Sequence, residues 1–485
     1  MTKFDPELLR ESLEGLFQSS GGLSEVSASS FASTSTSVAN KPSPPVLSLV
    51  IGLSGGVDSI VLLHALSSLV SSATNSDVKV RFNLKLSAIH INHQLHSQAN
   101  DWQSFCITFC QKLNIPIQCV SVDASPKMGE GPEAAARNAR YAAFKKNIHD
   151  DDILLTGHHL DDQIETVFLK ILRGTGVDGA AGIREISRFS TINKSTYLVR
   201  PLLMFSRESI ELYASENKLE WVNDPSNDET HYDRNYLRHD VLPVLEKRWP
   251  SYRQTVCRFS QHMRQTSDLL KQISEDDFSD AFNVEKKCLN IENLNNLSLP
   301  RANNLIRHWV SFEGYSLPSD AQLSQINTAI TSREDSSPVV SWANVELRRF
   351  KNNLYLMSSD SIKIPEDLLV NIKSWKEGQR VNVPGYGLLE LRSSKGDGIN
   401  KKYFSSHEIK IKFRQGGEKC KPVCRDKTQT LKKIFQEMNL APWLRDTTPI
   451  VYIENEIAAV VGEFYCVPFA ASLNEEGLII ARVSE

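Results

Sequence analysis

Apolar and polar positions follow two different rhythms along the first half of the chain. Short apolar runs at 47–53, 84–91, 115–122 and 153–157 have the length and continuity of strands buried in a sheet. Between them, segments 57–70, 99–113, 132–149 and 161–173 place apolar residues at helical spacing. Strand and helix alternating on this scale predict an α/β fold, a doubly wound parallel sheet covered on both faces. Ligands of such sheets bind beyond the carboxyl ends of the strands.

The rhythm changes on either side. Spaced apolar residues from Phe4 to Phe17 predict a short amphipathic helix, and the Ser/Ala/Thr-rich stretch 18–45 reads as a disordered tether. From about 240 to 345 the pattern is mostly helical, and beyond 375 Gly and Pro become frequent and strand-like segments dominate. A small α+β module is expected after about 395. The resulting division is an extension (1–45), a catalytic α/β domain (46–238), a central mostly helical domain (239–358), and a linker with a C-terminal α+β domain (359–485).

Composition narrows this picture a little. A chain of 485 residues is too long for a single core. The formal net charge of −3 gives no global signal for nucleic acid, so any RNA contact must come from local patches. No apolar run approaches the roughly 20 residues that span a bilayer. Eight scattered cysteines are not a disulfide framework, and a reducing cytoplasm is the simplest setting. Cys106 and Cys110 fall on a predicted helix with Trp102, Phe105 and Phe109, which suits buried thiols; Cys420 and Cys424 lie in a Lys-rich loop, where a metal site is the minority reading.

The candidate chemistry begins at Ser54-Gly55-Gly56-Val57-Asp58-Ser59, directly after the first strand and before the first long helix. The two glycines allow backbone angles closed to other residues, and the new helix points its N–H groups at an anion. Asp58 would repel phosphate unless a cation such as Mg²⁺ lies between them. The Lys-Ser/Thr pair of a Walker A loop is missing, as is the third glycine of a dinucleotide fingerprint. The combination points to nucleotide chemistry with pyrophosphate as the bound anion.

Two more polar clusters follow strand ends: His90, Asn92 and His93 after the second, and His158-His159-Leu160-Asp161-Asp162 after the fourth. One Asp at a helix start is an ordinary cap, worth about 1 kcal/mol. Two carboxylates beside two imidazoles exceed that need. Asp161 or Asp162 could join Asp58 on Mg²⁺, and neutral His159 could donate to a phosphate or accept a proton. Glu133, Arg137 and Arg140 or Tyr141 share one helix stripe, and Arg234 and Arg238 could supply guanidinium groups to phosphate or cap a helix.

In this order, Ser54–Ser59, His90–His93, Pro132–Tyr141, His159–Thr166, Arg200–Leu203, Trp221–Asn227 and Arg234–Arg238 resemble the tRNA(Ile)-lysidine synthetases of the PP-loop ATP pyrophosphatase superfamily. The run Leu431–Phe435 through Pro442–Pro449 is similar to that family's last domain. The resemblance covers roughly residues 46–470. It implies that ATP adenylates the C2 oxygen of cytidine 34 in the CAU anticodon of tRNA(Ile). Free L-lysine then displaces AMP to give lysidine, switching the codon read from AUG to AUA. It implies Ser54–Ser59 as the ATP site, Asp58 with Asp161 or Asp162 as Mg²⁺ ligands, and His159, Arg140 and Arg234 near the nucleotide or the cytidine. The Ser-rich extension departs from the family pattern.

Lysines and arginines crowd residues 401–433, with Phe404, Phe413 and Phe435 interleaved, which predicts contact with RNA phosphates. Three rival functions stay open. A PP-loop tRNA thiolase would call on Cys106, Cys110 and Cys119. A catalytically silent tRNA-binding protein would not need intact Asp58, Asp161 and Asp162, and a small-metabolite amide ligase would not need the basic region.

Overall fold

The computed structural model describes residues 3–19, 46–73, 83–126, 131–149, 152–190, 195–225, 229–333, 338–359, 369–372 and 375–483. From residue 20 onward, the Ser-rich tether lies outside the described residues. Residues 1–269 and 270–485 form two compact units.

The first unit is built on a six-stranded sheet. Its strands are β1 (Val46–Gly52), β2 (Asn83–Asn92), β3 (Ile117–Ser121), β4 (Asp152–Leu155), β5 (Ile186–Ser190) and β6 (Ser195–Val199), in spatial order β3-β2-β1-β4-β6-β5. The helices are α1 (Pro6–Ser19), α2 (Val57–Ala73), α3 (Ala99–Lys112), α4 (Pro132–Asn147), α5 (Leu160–Leu172) and α6 (Arg207–Glu216). β1 pairs in parallel with both β2 and β4. The expected parallel sheet gains one antiparallel edge strand, because β5 and β6 form a hairpin that a βαβ crossover cannot make.

Side-chain alternation along β1 serves both faces. Leu49 and Ile51 join Ile60, Leu63 and Leu66 of α2 in one core, while Val50 joins Ala143 and Phe144 of α4 in the other. Each fully buried aliphatic side chain contributes about 1.5–3 kcal/mol. The N-terminal helix caps the first core: Leu9 and Leu13 are buried in it, and Phe4 sits edge-on to Phe205 and Tyr213, with ring centroids 4.9 Å from each.

The strand order reverses direction at β1, whose two neighbours are β2 and β4. The turn after β1 and the turn after β4 therefore open into the same crevice, the usual ligand position of such sheets. Gly157 makes their contact close. A Cβ there would stand 3.1 Å from the Asp58 carbonyl carbon and 3.1 Å from the Ser59 nitrogen.

In the second unit, helices Leu299–Phe312 and Asp320–Thr331 bury Trp309, Leu305 and Ile326 against a five-stranded antiparallel sheet. That sheet, with strands such as Val345–Phe350 and Asn353–Ser358, adds β structure to the expected helical region. The C-terminal module starts earlier than residue 395, since Leu369–Ile372 already pairs with Ile409–Lys412. Within this unit Trp443 is buried, with its ring 5.3 Å from Tyr355, 5.9 Å from Phe350 and under the Arg348 guanidinium. Phe404, Phe413 and Phe435 are buried too. They pack the core rather than stack on bases, so the aromatic part of the RNA-contact expectation fails. Among the interleaved cations, Lys419, Lys427, Lys432 and Lys433 are exposed.

Candidate active site

The turn after β1 is held open by its own serines. Ser59 Oγ accepts from the backbone N–H of Ser54 and of Gly55, each at 3.2 Å, and donates to the Gly56 carbonyl at 3.0 Å. Ser54 Oγ accepts from the Gly56 N–H at 3.3 Å. Gly55 has φ +91°, a conformation open to glycine at little cost, and its carbonyl accepts from Val222 N at 2.9 Å. The hydroxyls thus shape the loop, and α2 starts at Val57 with its N-terminus at the crevice.

Asp58 stands in the first turn of α2. Its Oδ1 is covered from solvent and makes no hydrogen bond among the described residues. Burial pushes this carboxyl above its ordinary value, helped by nearby Asp162 and opposed by the facing His159 and by Arg207. An oxygen left in that condition is costly unless a ligand completes it.

His159 caps α5 and is 2 % exposed. Its ring Nδ1 accepts from the Asp161 N–H at 3.2 Å, and its backbone N–H donates to Asp162 Oδ2 at 2.9 Å. A ring nitrogen that accepts carries no proton, so the proton sits on Nε2. That nitrogen lies 3.6 Å from Asp58 Oδ1 and 3.5 Å from Asp162 Oδ2. The ring stands between the two carboxylates with its N–H side toward them, without a hydrogen bond to Asp58 Oδ1. Of the two roles expected of a neutral His159, this tautomer presents the donor at Nε2.

The two adjacent aspartates divide their roles. Asp161 turns away: its Oδ2 accepts from Arg207 N at 2.9 Å, and its Oδ1 accepts from Arg253 Nε at 2.9 Å. Burial opposes its ionisation, but these bonds hold its pKa below the usual value. Asp162 turns inward. Burial again opposes the charge, yet His159, Arg234 and His158 hold this carboxyl well below the carboxylate range.

Arg234 does not reach out to a phosphate. It donates from Nε to Glu165 Oε2 at 2.6 Å and from Nη2 to Asp162 Oδ1 at 2.7 Å. Arg238 grips Glu165 from the other side at 2.7 and 3.0 Å. Glu165 has 0 % exposure and was given no role by the sequence reading, as were Arg207 and Arg253. Its position four residues after Asp161 and three after Asp162 was the available signal.

Near Asp162 stands a group formed by Arg140, His93 and His158. Arg140 is held below its ordinary pKa by burial and by neighbouring Arg137 and Arg234. His93, whose Nδ1 is buried without a partner, is pushed down to about 4 by burial and by Arg140. His158, hydrogen-bonded to Thr156 at 2.9 Å, is pushed down to about 3, chiefly by burial. His90 is tied to the Leu53 carbonyl at 2.8 Å and belongs to the scaffold. Asn92 is likewise occupied, donating to Asn100 and Gln103. Glu133 and Arg137 are exposed, and the guanidinium groups of Arg137 and Arg140 lie over the Tyr141 ring.

Cys106 packs under the glycine turn, where a Cβ on Gly55 would stand 3.2 Å from its Sγ. Cys106 and Cys110 are buried, and burial pushes both up to about 12. Cys420 is buried beside Cys466, while Cys424 is exposed. No group of three or more His, Cys, Asp or Glu side chains among the described residues is arranged to hold a metal by itself.

The sheet, the glycine turn and the facing aspartates define a PP-loop protein. The family model described as PP-loop domain matches residues 29–245, that described as TilS substrate binding domain matches 289–355, and that described as TilS substrate C-terminal domain matches 409–483. The chain is similar to the tRNA(Ile)-lysidine synthase of Coxiella burnetii, 38% identical over 430 residues that cover 88% of this chain and 91% of that one. It is 37% identical over 420 residues to that of Legionella pneumophila strain Lens, with 85% and 90% covered. It is 34% identical over 435 residues to that of Nitrosomonas europaea, with 89% and 91% covered. The chain belongs to the tRNA(Ile)-lysidine synthase family. A solved U34-tRNA thiolase from Methanococcus maripaludis shares 20% identity at a TM-score of 0.35, covering 45% of this chain and 73% of its own. A likeness that weak does not discriminate between activities. No described helix is long and apolar enough to cross a membrane.

Proposed function

We propose that this chain uses ATP to join L-lysine to C2 of cytidine 34 in the CAU anticodon of tRNA(Ile), through an adenylated cytidine. The observation that carries this reading is the pair of inward carboxylates at the glycine turn, Asp58 with its covered, unpartnered Oδ1 and Asp162 across the His159 ring.

A carbonyl oxygen leaves poorly until it carries a good leaving group. Transfer of AMP from ATP to the C2 oxygen supplies one and releases pyrophosphate. The N–H groups of Val57 and Asp58 at the start of α2 take the charge that develops on the departing phosphates. Asp58 and Asp162 fit a Mg²⁺ ion, which commonly binds one or two carboxylates and completes its shell with phosphates and water. That ion would supply charge neutralisation on the triphosphate. Asp161 and Asp162 both already accept a hydrogen bond on each oxygen; Asp162 is taken as the second ligand because its charge is the one that bears on Asp58, across the His159 ring. Arg140, within electrostatic reach of Asp162, offers a guanidinium to a nucleotide or RNA phosphate.

In the second step the ε-amine of lysine attacks C2 and AMP departs. Asp162, held ionised, attracts the incoming ε-ammonium, which gives up a proton to solvent before the neutral amine forms the C2–N bond and the C2–O bond to AMP breaks. Arg234 acts on the site through Asp162 rather than on substrate. The exposed lysines of 419–433 suit contact with tRNA phosphates away from the crevice. Such a reaction belongs in the cytoplasm, where tRNA, ATP and free lysine meet.

A thiolase would need reactive thiols at the crevice, and Cys106 and Cys110 are buried and protonated. Labelled lysine entering the CAU isoleucine tRNA, with elongator methionine tRNA left unlabelled, is the expected result. Sulfur entering the base in place of lysine would overturn it.

A further inference from the structure

The two residues that flank Asp162 on α5 are both fastened to one helix outside the crevice. Arg253 Nε donates to Asp161 Oδ1 at 2.9 Å, and Gln163 Nε2 donates to Ser260 Oγ at 2.7 Å. Arg253 and Ser260 lie seven residues apart on the helix Tyr252–Ala281, which is about two turns and so the same face.

Both attachments are locked by further bonds. Arg253 also pairs with Glu246, and its guanidinium lies 4.9 Å from the ring centre of Tyr252. Tyr252 is buried in a cluster with Ile164, Leu237 and Leu242. Ser260 Oγ donates onward to the Ala181 carbonyl at 2.7 Å, and Gln163 Oε1 accepts from Ile183 N at 2.6 Å. Gly182 has φ +70°, and a Cβ there would lie 2.6 Å from Gln163 Nε2, so this backbone presses onto the amide. One turn beyond Ser260, Arg264 Nη2 holds the Ile183 carbonyl at 2.7 Å.

We propose that Arg253 and Ser260 are positioning residues for the reaction. They fix the roll of α5 about its axis so that Asp162 points across His159 toward Asp58, while neither touches a reacting group. The argument rests on the reading that Asp58 and Asp162 act on the nucleotide. A buried ion pair adds little net stability over an apolar pair, whereas a displacement of about 1 Å at a reacting group can cost a hundredfold in rate. Holding 161 and 163 from one rigid face leaves 162 no rotational freedom.

The test uses the full chain with CAU isoleucine tRNA, ATP, Mg²⁺ and lysine. AMP release gives kcat and KM for ATP, and thermal midpoints are recorded for R253Q, R253K and S260A. R253Q is expected to lower kcat by about 10- to 100-fold with KM for ATP within about threefold, and R253K, which keeps one donor, to recover most of that loss. S260A, which needs no large repacking, is expected to lower kcat by about 5- to 10-fold with an unchanged KM, and it carries the test if R253Q fails to fold. Variants that melt earlier yet keep kcat within twofold of wild type would overturn the positioning role. So would an R253K no faster than R253Q. A wild-type chain that releases no AMP would overturn the reading of the reaction itself, and this proposal with it.

Discussion

His159 Nε2 stands 3.6 Å from Asp58 Oδ1, and its other nitrogen is occupied by the Asp161 N–H. The imidazole therefore faces Asp58 with a proton and not with a lone pair. Asp58 keeps a covered Oδ1 without a completed shell, which is an unfavourable state that a bound cation and triphosphate would relieve.

That arrangement sets activity against stability. The D58N variant should lose AMP formation by about 10²- to 10³-fold, typical of removing a charge-stabilising group. Its thermal midpoint at pH 8 should equal or exceed that of wild type, because burial penalises the Asp58 charge. Steady-state AMP release beside a melting curve checks both halves. Retained activity would remove Asp58 from the chemistry.

Glu165 offers the opposite case. It has 0 % exposure and is gripped by Arg234 and Arg238. Truncation in E165A removes both hydrogen bonds of Arg238 and one of the two that hold Arg234, and should cost about 3 kcal/mol in urea unfolding. A loss under 1 kcal/mol would mean that the arginines find other partners.

Gly157 is constrained by what lies over it. A Cβ would meet the Asp58 and Ser59 backbone at 3.1 Å, and backbone cannot yield as a side-chain tip does. G157A should destabilise by about 1–3 kcal/mol, as overpacking does, and weaken ATP binding by displacing the turn. Isothermal titration with a non-hydrolysable ATP analogue reads the second effect.

The sequence revealed much of this arrangement and hid a definite part of it. Gly55, Gly56 and the run from His158 to Asp162 stood at strand ends, so their convergence followed from the alternation of strand and helix alone. Asp161 and Asp162 could not be told apart, because their roles differ by the 100° between successive helix positions and by partners 46 and 92 residues away. Arg253 was hidden for the same reason. Phe404, Phe413 and Phe435 misled because an aromatic between lysines has the same local pattern whether it faces RNA or a core. The β5–β6 hairpin was missed because its partner strands are short and its edge position tolerates polar residues.

Acid should destabilise the fold through its histidines. His93 and His158 have folded pKa values of about 4 and about 3, below the ordinary 6.5. As pH falls below 6.5, the unfolded chain takes up protons that the folded chain refuses, so stability declines. Asp161 and Asp162, held low, add to the decline below their ordinary 3.8, while raised Asp58 works in the opposite sense. Urea midpoints measured from pH 7.5 down to 5 should fall steadily, and H158Q should flatten the slope. A flat profile in wild type would contradict the neutral burial of these rings.

The thiols of the first unit, Cys106 and Cys110 buried and Cys119 half-buried, give a direct test against sulfur chemistry. Replacing Cys106, Cys110 and Cys119 together with alanine should leave lysine transfer within about fivefold of wild type, since cavities of that size cost stability more than geometry. Abolished transfer in a folded triple variant would make a thiol part of the reaction.

The account depends most on how the triphosphate is cut, and one measurement addresses that. Wild-type protein is given α-labelled ATP, labelled lysine, Mg²⁺ and CAU isoleucine tRNA, and the nucleotide products are counted against lysine bound to RNA. One AMP for each lysine incorporated, with pyrophosphate as the other product, is the predicted result. ADP with inorganic phosphate, or AMP formed with no lysine in the RNA, would contradict the account.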